Sequence, residues 1–432
     1  LNPAEVTLPE VLDLDGGTYA HGFIGKWHMS YADQGTLVPN QAGWSHYAGM
    51  LDGQVPSYTN YTQVVNGVAT NETTYLTTRQ VDDALSWIQG QTQPWVCYLS
   101  FQAPHLPFHE PPAHLHSQNL AGVPITNSSR PHYKALIEAM DTELGRLFTT
   151  LGPTVMADTN VIFLGDNGSV QNTAVAPFLG GKAKGSPYEG GLNVPMIISG
   201  PSVVNPGREV TDLAGAVDVF HTALDLTGAL DALPTWVDTD GVSLVPYVDD
   251  TATTPLRDFV YSEQFSGDGW PDPMNGGHAT IRNDRFKLIQ YQTSSDRFYD
   301  LWNDPWESSN LLNGSLNSLQ QQNYDELVAE IAAIRAKNPA FIAFGTSGCI
   351  SSSGQVPQIA TGGSPQLGSS YTVSLSGVPD ASTLDVTADG ALLLGGWAYD
   401  AGSNAVVVST IAGALSAGTL LEVEYVIPPV CP

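Results

Sequence analysis

Four short stretches of this 432-residue chain carry side chains that could act together. GFIGKWHMS holds Lys26 and His28, and SFQAPHLPFHEP holds His105. LGDNGS holds Asp166 and Asn167, and GGKAKGSPYEGG holds Lys182, Lys184 and Glu189. Half of the chain's six lysines fall in two of these stretches, although the protein has 15 Lys plus Arg against 43 Asp plus Glu and a net charge of −28. Two ammonium groups and two imidazoles would make a positive pocket in a negative protein, the environment a tetrahedral oxyanion needs. Asp166 and Asn167 offer hard oxygens of the kind Ca²⁺ or Mg²⁺ prefers. A divalent cation beside lysines would stabilise an anionic ester and the charge that develops on it. An imidazole, with an ordinary pKa of about 6.5, could protonate a leaving alkoxide near neutral pH. Taken singly each stretch also has an ordinary structural reading. Asp-Asn-Gly is a common turn, GKWH could be a tight turn over a packed Trp, and Glu189 could be a turn acid.

The elements that must position these groups alternate between strand and helix patterns. VIFL, WVCYLSF and NVPMIIS are continuous apolar runs, as expected of strands buried on both faces of a parallel sheet. Between them, PHYKALIEAMDTELGRLFTTLG places Tyr133, Leu136, Ile137, Met140, Leu144, Leu147, Phe148 and Leu151 on one helical face, with a stop at Gly152. LTTRQVDDALSWIQG does the same with Val81, Leu85 and Ile88, and AVDVFHTALDLTG repeats the theme. The expected fold is α/β, a mainly parallel sheet flanked by helices. Ligands of such sheets bind beyond the carboxyl ends of the strands, where Lys26, His28, His105, Asp166 and Asn167 follow strand-like runs. Lys184 lies in the loop before NVPMIIS.

The expected organisation is an α/β domain over 1–254, a smaller antiparallel subdomain closed by a helix over 255–344, a Gly/Ser/Pro-rich linker over 345–372, and a β-sandwich-like module over 373–432. The acidic balance excludes nucleic acid and anionic membranes as partners, since both need basic patches. No apolar run approaches the ~18 residues of a membrane span. Cys97 reads as a buried thiol. Pairing of Cys349 with Cys431 would close a loop of about 80 residues and imply an oxidising compartment. Two unpaired thiols are the alternative. Trp44, Trp270 and Trp302 could line a sugar site, with core packing as the competing role.

In their order these stretches resemble the sulfatases of the alkaline-phosphatase superfamily. TLPEVLDLDGGTYAHGFIGKWHMS is similar to the family's helix, strand and GKWH loop, SFQAPHLPFHEP to its Ala-Pro-His-x-Pro loop, and VIFLGDNG to its metal-binding strand end. KGSPYEGGLNVPMIISGP resembles the segment that runs from its lysine to Tyr-Glu-Gly-Gly, and the likeness extends over about residues 5–312. The resemblance implies that Lys26 and His28 hold and deprotonate the nucleophile. It implies that His105 and Lys184 bind the sulfate, His105 near the leaving oxygen, and that Asp166 and Asn167 ligate calcium, ahead of magnesium. Lys182 is then a bystander or a charge at the substrate rim.

The departures are as specific as the likeness. The family's nucleophile is a formylglycine made from the first residue of a Cys/Ser-x-Pro-x-Arg motif, and no such motif occurs in the chain. The family's leading Asp-Asp metal ligands are missing too, and Asn193 stands where family members often carry Arg. The expectation is a secreted, periplasmic or cell-surface sulfuric ester hydrolase acting on a sulfated small molecule or glycan, with its opening strand–helix unit absent, by processing or truncation, before Leu1. On that expectation the chain as given is inactive and binds Ca²⁺ weakly, and a sheet strand is missing beside Asp166. A non-catalytic binder of sulfated glycans and a phosphomonoester or phosphonate ester hydrolase are the alternatives. The pattern leaves oligomeric state open.

Overall fold

The computed structural model describes residues 5–29, 35–178, 180–264, 277–292 and 294–337, together with the backbones of strands between 350 and 430. Trp270, Cys349 and Cys431 lie outside the described residues, so the expected disulfide does too. The chain divides into two compact units, residues 3–317 and 318–432.

The first unit runs α1 (Leu8–Leu14), β1 (Ala20–Lys26), α2 (Val38–Gln41), β2 (His46–Met50), β3 (Tyr61–Val65), β4 (Val68–Glu72), α3 (Leu76–Gln89), β5 (Trp95–Ser100) and α4 (Arg130–Ala157). It continues through β6 (Val161–Leu164), α5 (Glu189–Leu192), β7 (Met196–Ser199), α6 (Asp218–Thr227) and α7 (Val245–Val248) to β8 (Val260–Gln264), β9 (His278–Arg282), β10 (Phe286–Tyr291) and β11 (Arg297–Asp300). The α/β class expected from the alternation holds. The main sheet has the order β4-β3-β2-β1-β5. β1 pairs parallel with β2 and with β5, and the hairpin β3–β4 extends the sheet antiparallel. β1 is buried along nearly its whole length, with Phe23 and Ile24 in the core. Its Phe23 ring packs edge-on against Trp27 and Trp44 and stacks on Tyr98.

Two strands depart from the sequence reading. β6 and β7 pair with each other, antiparallel, as a separate two-stranded sheet, and β6 is only half-buried. Continuous apolar runs show where strands form, but they do not encode strand direction or which edges find partners. β5, next to β1, ends the main sheet, and its Tyr98 is 48% exposed.

Helix α3 buries Val81, Leu85 and Ile88 as its spacing requires, each side chain contributing about 2 kcal/mol by leaving water. α4 breaks at Gly152, which sits at φ 77°, and Pro153 restarts a last turn. α6 ends in a left-handed Gly228. Strands β8 to β11 form an antiparallel sheet in the order β11-β10-β9-β8.

The second unit holds α8 (Ser318–Lys337) and then β12 (Ile350–Gln355), β13 (Gln358–Ile359), β14 (Ser370–Ser374), β15 (Asp385–Ala388), β16 (Ala391–Leu392), β17 (Trp397–Asp400), β18 (Ala405–Ser409) and β19 (Leu420–Val430). β12, β13 and β15 pair with β19, β16 pairs with β15, and β14-β18-β17 form another sheet. Three of these strands, β12 to β14, begin within residues 345–372.

Candidate active site

Lys26 is the last residue of β1, aligned with Met50 of β2, and the preceding Gly25 is aligned with Ser100 at the end of β5. Gly25 has φ 109°, and a Cβ there would stand 1.9 Å from the Ser100 carbonyl oxygen. Only glycine permits the approach of the two strand ends. After β1 the backbone stays tied to the neighbouring loop, with Trp27 N–H donating to Met50 O (2.9 Å) and His28 N–H to Leu51 O (3.0 Å). His28 has φ 52° and is exposed, and its ring lies over Gly53, where a Cβ would meet Cε1 and Nε2 at 2.3 Å.

His105 follows β5 and is held from two sides. Its N–H donates to Gln102 O at 2.9 Å, and its own carbonyl accepts from the buried Tyr58 hydroxyl at 2.8 Å. Tyr58 also donates to Gln102 O (3.0 Å), and Gln102 Nε2 donates to Gly53 O (2.9 Å). The loops carrying His28 and His105 therefore share one hydrogen-bonded support. Asp166 and Asn167 sit in the turn after β6, exposed and half-buried respectively. That turn is bonded to the later segment: Gly168 N–H donates to Gly191 O (2.9 Å), and Lys184 N–H donates to Ser169 O (3.0 Å).

The side chains of the four segments feel one another. Burial pulls the Lys26 ammonium below its ordinary value. Asp166 opposes that shift and the Lys184 charge adds to it. His28 is lowered by burial first, then by Lys26 and Lys184, against Asp52. His105 is lowered by burial, and Lys184 and Lys26 push the same way, while its contact with Leu106 O and the Asp166 charge oppose. Both imidazoles are thus neutral at neutral pH. The sequence reading, made with an ordinary pKa, differs here because it could not include desolvation and two nearby cations.

Lys26 and Lys184 accordingly lie within electrostatic reach of both imidazoles and of each other, and Asp166 within reach of Lys26 and His105, with Asn167 next to Asp166 in the chain. Lys182 is set apart: its ammonium donates to Trp306 O and Glu307 O, both at 2.8 Å. Glu189 is buried and bonds to Lys287, Arg282 and Asn193, so Asn193 supports this carboxylate. Trp44 is a core residue, and Trp302 is exposed beneath the Arg285 guanidinium. Gly53, Tyr58 and Gln102 have no signature in the sequence, because each acts through contacts across 44 to 49 residues of chain.

Calcium requires about six to eight oxygens. Asp166 and Asn167 supply two side chains, and among the described residues no group of three or more His, Cys, Asp or Glu is gathered to hold a metal ion. The described residues do not by themselves make a complete calcium site.

A family model for sulfatases matches residues 1–229, and one for the C-terminal part of N-sulphoglucosamine sulphohydrolase matches 183–336. Human arylsulfatase A is 26% identical over 410 residues, 84% of this chain and 75% of that protein. The choline-sulfatase of Rhizobium meliloti is 28% identical over 325 residues, 66% of this chain and 58% of its own. The uncharacterized sulfatase YdeN of Escherichia coli is 27% identical, and the chain spans 51% of its length. The fold is similar to that of Ps i-CgsB in complex with k-i-k-neocarrahexaose, with TM-score 0.63, 22% identity and coverage of 80% of this chain and 77% of that one. It is also similar to BT4656 in complex with its substrate D-glucosamine-2-N,6-O-disulfate, with TM-score 0.62, 19% identity and coverage of 78% and 84%. With the sulfatase model matched over more than half of its length, the chain belongs to the sulfatase family of the alkaline-phosphatase superfamily.

Proposed function

We propose that the protein serves the hydrolysis of sulfate esters and that the rim formed by Lys26, His28, His105 and Lys184 binds the sulfate. One observation carries the reading. Lys26 and Lys184 lie close enough to perturb the same imidazoles, yet among the described residues neither forms an ion pair. In a chain of net charge −28, two unpaired ammonium groups at one strand-end rim make a site for an anion.

In this reading Lys26 and Lys184 neutralise the sulfate oxygens. His105, held through its backbone by Tyr58 and Gln102, faces the leaving oxygen, and its proton affinity rises once the bound anion offsets the two lysines. His28 stands over Gly53 as the base beside Lys26. The formylglycine that the family resemblance implies would supply the nucleophilic oxygen; the residue itself has no Cys/Ser-x-Pro-x-Arg motif to arise from within residues 1–432. Asp166 and Asn167 are proposed as two oxygen donors toward calcium. A sulfated glycan is the proposed substrate class, supported by the saccharide complexes of two proteins of similar fold. A secreted, periplasmic or cell-surface location would suit such a substrate.

The test compares hydrolysis of p-nitrophenyl sulfate and p-nitrophenyl phosphate, and binding of inorganic sulfate, in the wild type, Lys26→Ala and Lys184→Ala. Sulfate binding lost in both variants supports the reading. Binding unchanged by either substitution refutes it, and preferential phosphate turnover moves the protein to phosphoryl chemistry.

A further inference from the structure

Strand β10 carries a lysine where its burial pattern calls for an apolar residue. Lys287 is 1% exposed, on a strand whose residues Phe286, Leu288 and Ile289 are also buried. A buried ammonium is costly to desolvate, and an apolar side chain of similar length would pack there without that cost. What the charge touches is therefore informative. Lys287 Nζ lies 2.8 Å from Glu189 Oε1 and 3.0 Å from Glu307 Oε1. Its cross-strand neighbour Arg282 reaches Glu189 Oε2 at 2.8 Å.

Glu307 bonds to the chain on both sides of Lys184, through its carboxylate on one side and its backbone carbonyl on the other. Glu307 Oε2 accepts from the Glu189 backbone N–H at 2.8 Å, and the Glu307 carbonyl accepts from Lys182 Nζ at 2.8 Å. One residue thus ties both ends of the segment 182–189, and Lys184 lies between the ties. Glu307 holds a left-handed φ of 54° to do so, a conformation a non-glycine residue adopts at a cost. On its other side the same segment bonds to the Asp166 turn, through Lys184 N–H to Ser169 O and Gly168 N–H to Gly191 O.

We propose that Lys287 is a positioning residue for the candidate active site, its buried ammonium neutralising Glu189 and Glu307 so that segment 182–189 presents Lys184 to the Lys26–His105 rim. Without it two buried carboxylates would confront each other with Arg282 alone between them and the solvent. Like charges at that distance separate or take up a proton, and either response loosens the ties at Lys182 and Glu189. The inference rests on the reading of Lys184 as a sulfate-binding group.

The experiment follows the imidazoles of His28 and His105 by NMR titration in the full chain, together with binding of inorganic sulfate. Lys184→Met removes a cation that lowers both imidazoles, so both should titrate at higher pH. Lys287→Met should raise both in the same way and weaken sulfate binding roughly tenfold, whereas Lys287→Arg should restore the wild-type titrations. If Lys287→Met does not fold, Glu307→Gln serves, since it keeps the shape and removes one of the two charges facing the ammonium. Its expected effect is a smaller rise of both imidazoles. A folded Lys287→Met or Glu307→Gln with both imidazoles at their wild-type values, whatever its melting temperature, overturns the proposal. So does a Lys184→Met variant in which neither imidazole moves. If the titrations shift as expected while sulfate binding stays the same in every variant, the positioning role stands and the sulfate reading fails.

Discussion

Gly53→Ala isolates the pose of His28. The added Cβ would stand 2.3 Å from Cε1 and Nε2 of the imidazole and 2.5 Å from Cδ2, where ordinary contact begins at 3.4 Å. The ring must therefore withdraw by about 1.1 Å. The atoms it meets are the far end of a side chain on an exposed residue, so the fold should absorb the change, with a melting shift of no more than about 2 °C. The Gln102 bond to the Gly53 carbonyl is untouched by the substitution. A displacement of about 1 Å at a reacting group costs on the order of a hundredfold in rate, or about 2.7 kcal/mol. The assay is kcat/KM on p-nitrophenyl sulfate in an enzyme form that turns it over, set beside an NMR titration of His28 that needs no turnover. The ring should titrate closer to its ordinary value as it moves off Lys26 and Lys184. A Gly53→Ala protein with wild-type rate and an unshifted His28 would refute both the pose and the role drawn from it.

Other expectations do not depend on the pose of His28. Burial pushes the half-buried Cys97 thiol up to about 12, so peptide mapping after native alkylation at pH 8 should find Cys97 labelled far more slowly than in the unfolded chain; equal rates would contradict this. Asp218, fully buried, is paired with Arg257 and accepts from Gly215 N–H (2.7 Å) and Val242 N–H (2.9 Å); Asp218→Asn should cost about 3 kcal/mol in denaturant unfolding, and a loss below about 1 kcal/mol would count against the buried pair. Burial lowers His109 below its ordinary value, so the unfolded chain takes up a proton first as pH falls. The stability His109 contributes is present above about pH 6.5 and lost as pH drops toward its folded value. His109→Gln should flatten the fall of Tm between pH 7 and 5, and an unchanged slope would exclude the assignment. Calcium titration by calorimetry should give a Kd weaker than about 10⁻⁴ M, and micromolar binding would show that more donors gather at Asp166 than the described residues supply.

Much of the scaffold is legible in the sequence because it is periodic. Val81, Leu85 and Ile88 announce the buried face of α3, and Gly152 marks a real break in α4. The candidate site residues stand out because charge is scarce, Lys26 and Lys184 being two of six lysines in an acidic chain. Their supports do not. Gly53, Tyr58 and Gln102 matter only through spatial neighbours, and nothing in FKLIQY marks Lys287 as buried between Glu189 and Glu307. The antiparallel pairing of β6 with β7 could not be read either, since apolar runs do not carry direction.

Among the described residues β5 has a strand partner on one side only, and its other side has a colloidal consequence. A terminal strand offers a row of free backbone donors and acceptors, a template on which another strand can grow. Here the row carries Tyr98, and the separate β6–β7 pair exposes Ile197 at 58%, so strand addition would also cover apolar surface. The net charge of −28 opposes the approach of two molecules along these edges. That repulsion reaches only about 10 Å at 0.1 M salt and about 3 Å at 1 M. Salt that would merely weaken a surface ion pair in another protein should here govern self-association, with the chain dispersed in dilute buffer and gathering along its strand edges as the ionic strength rises.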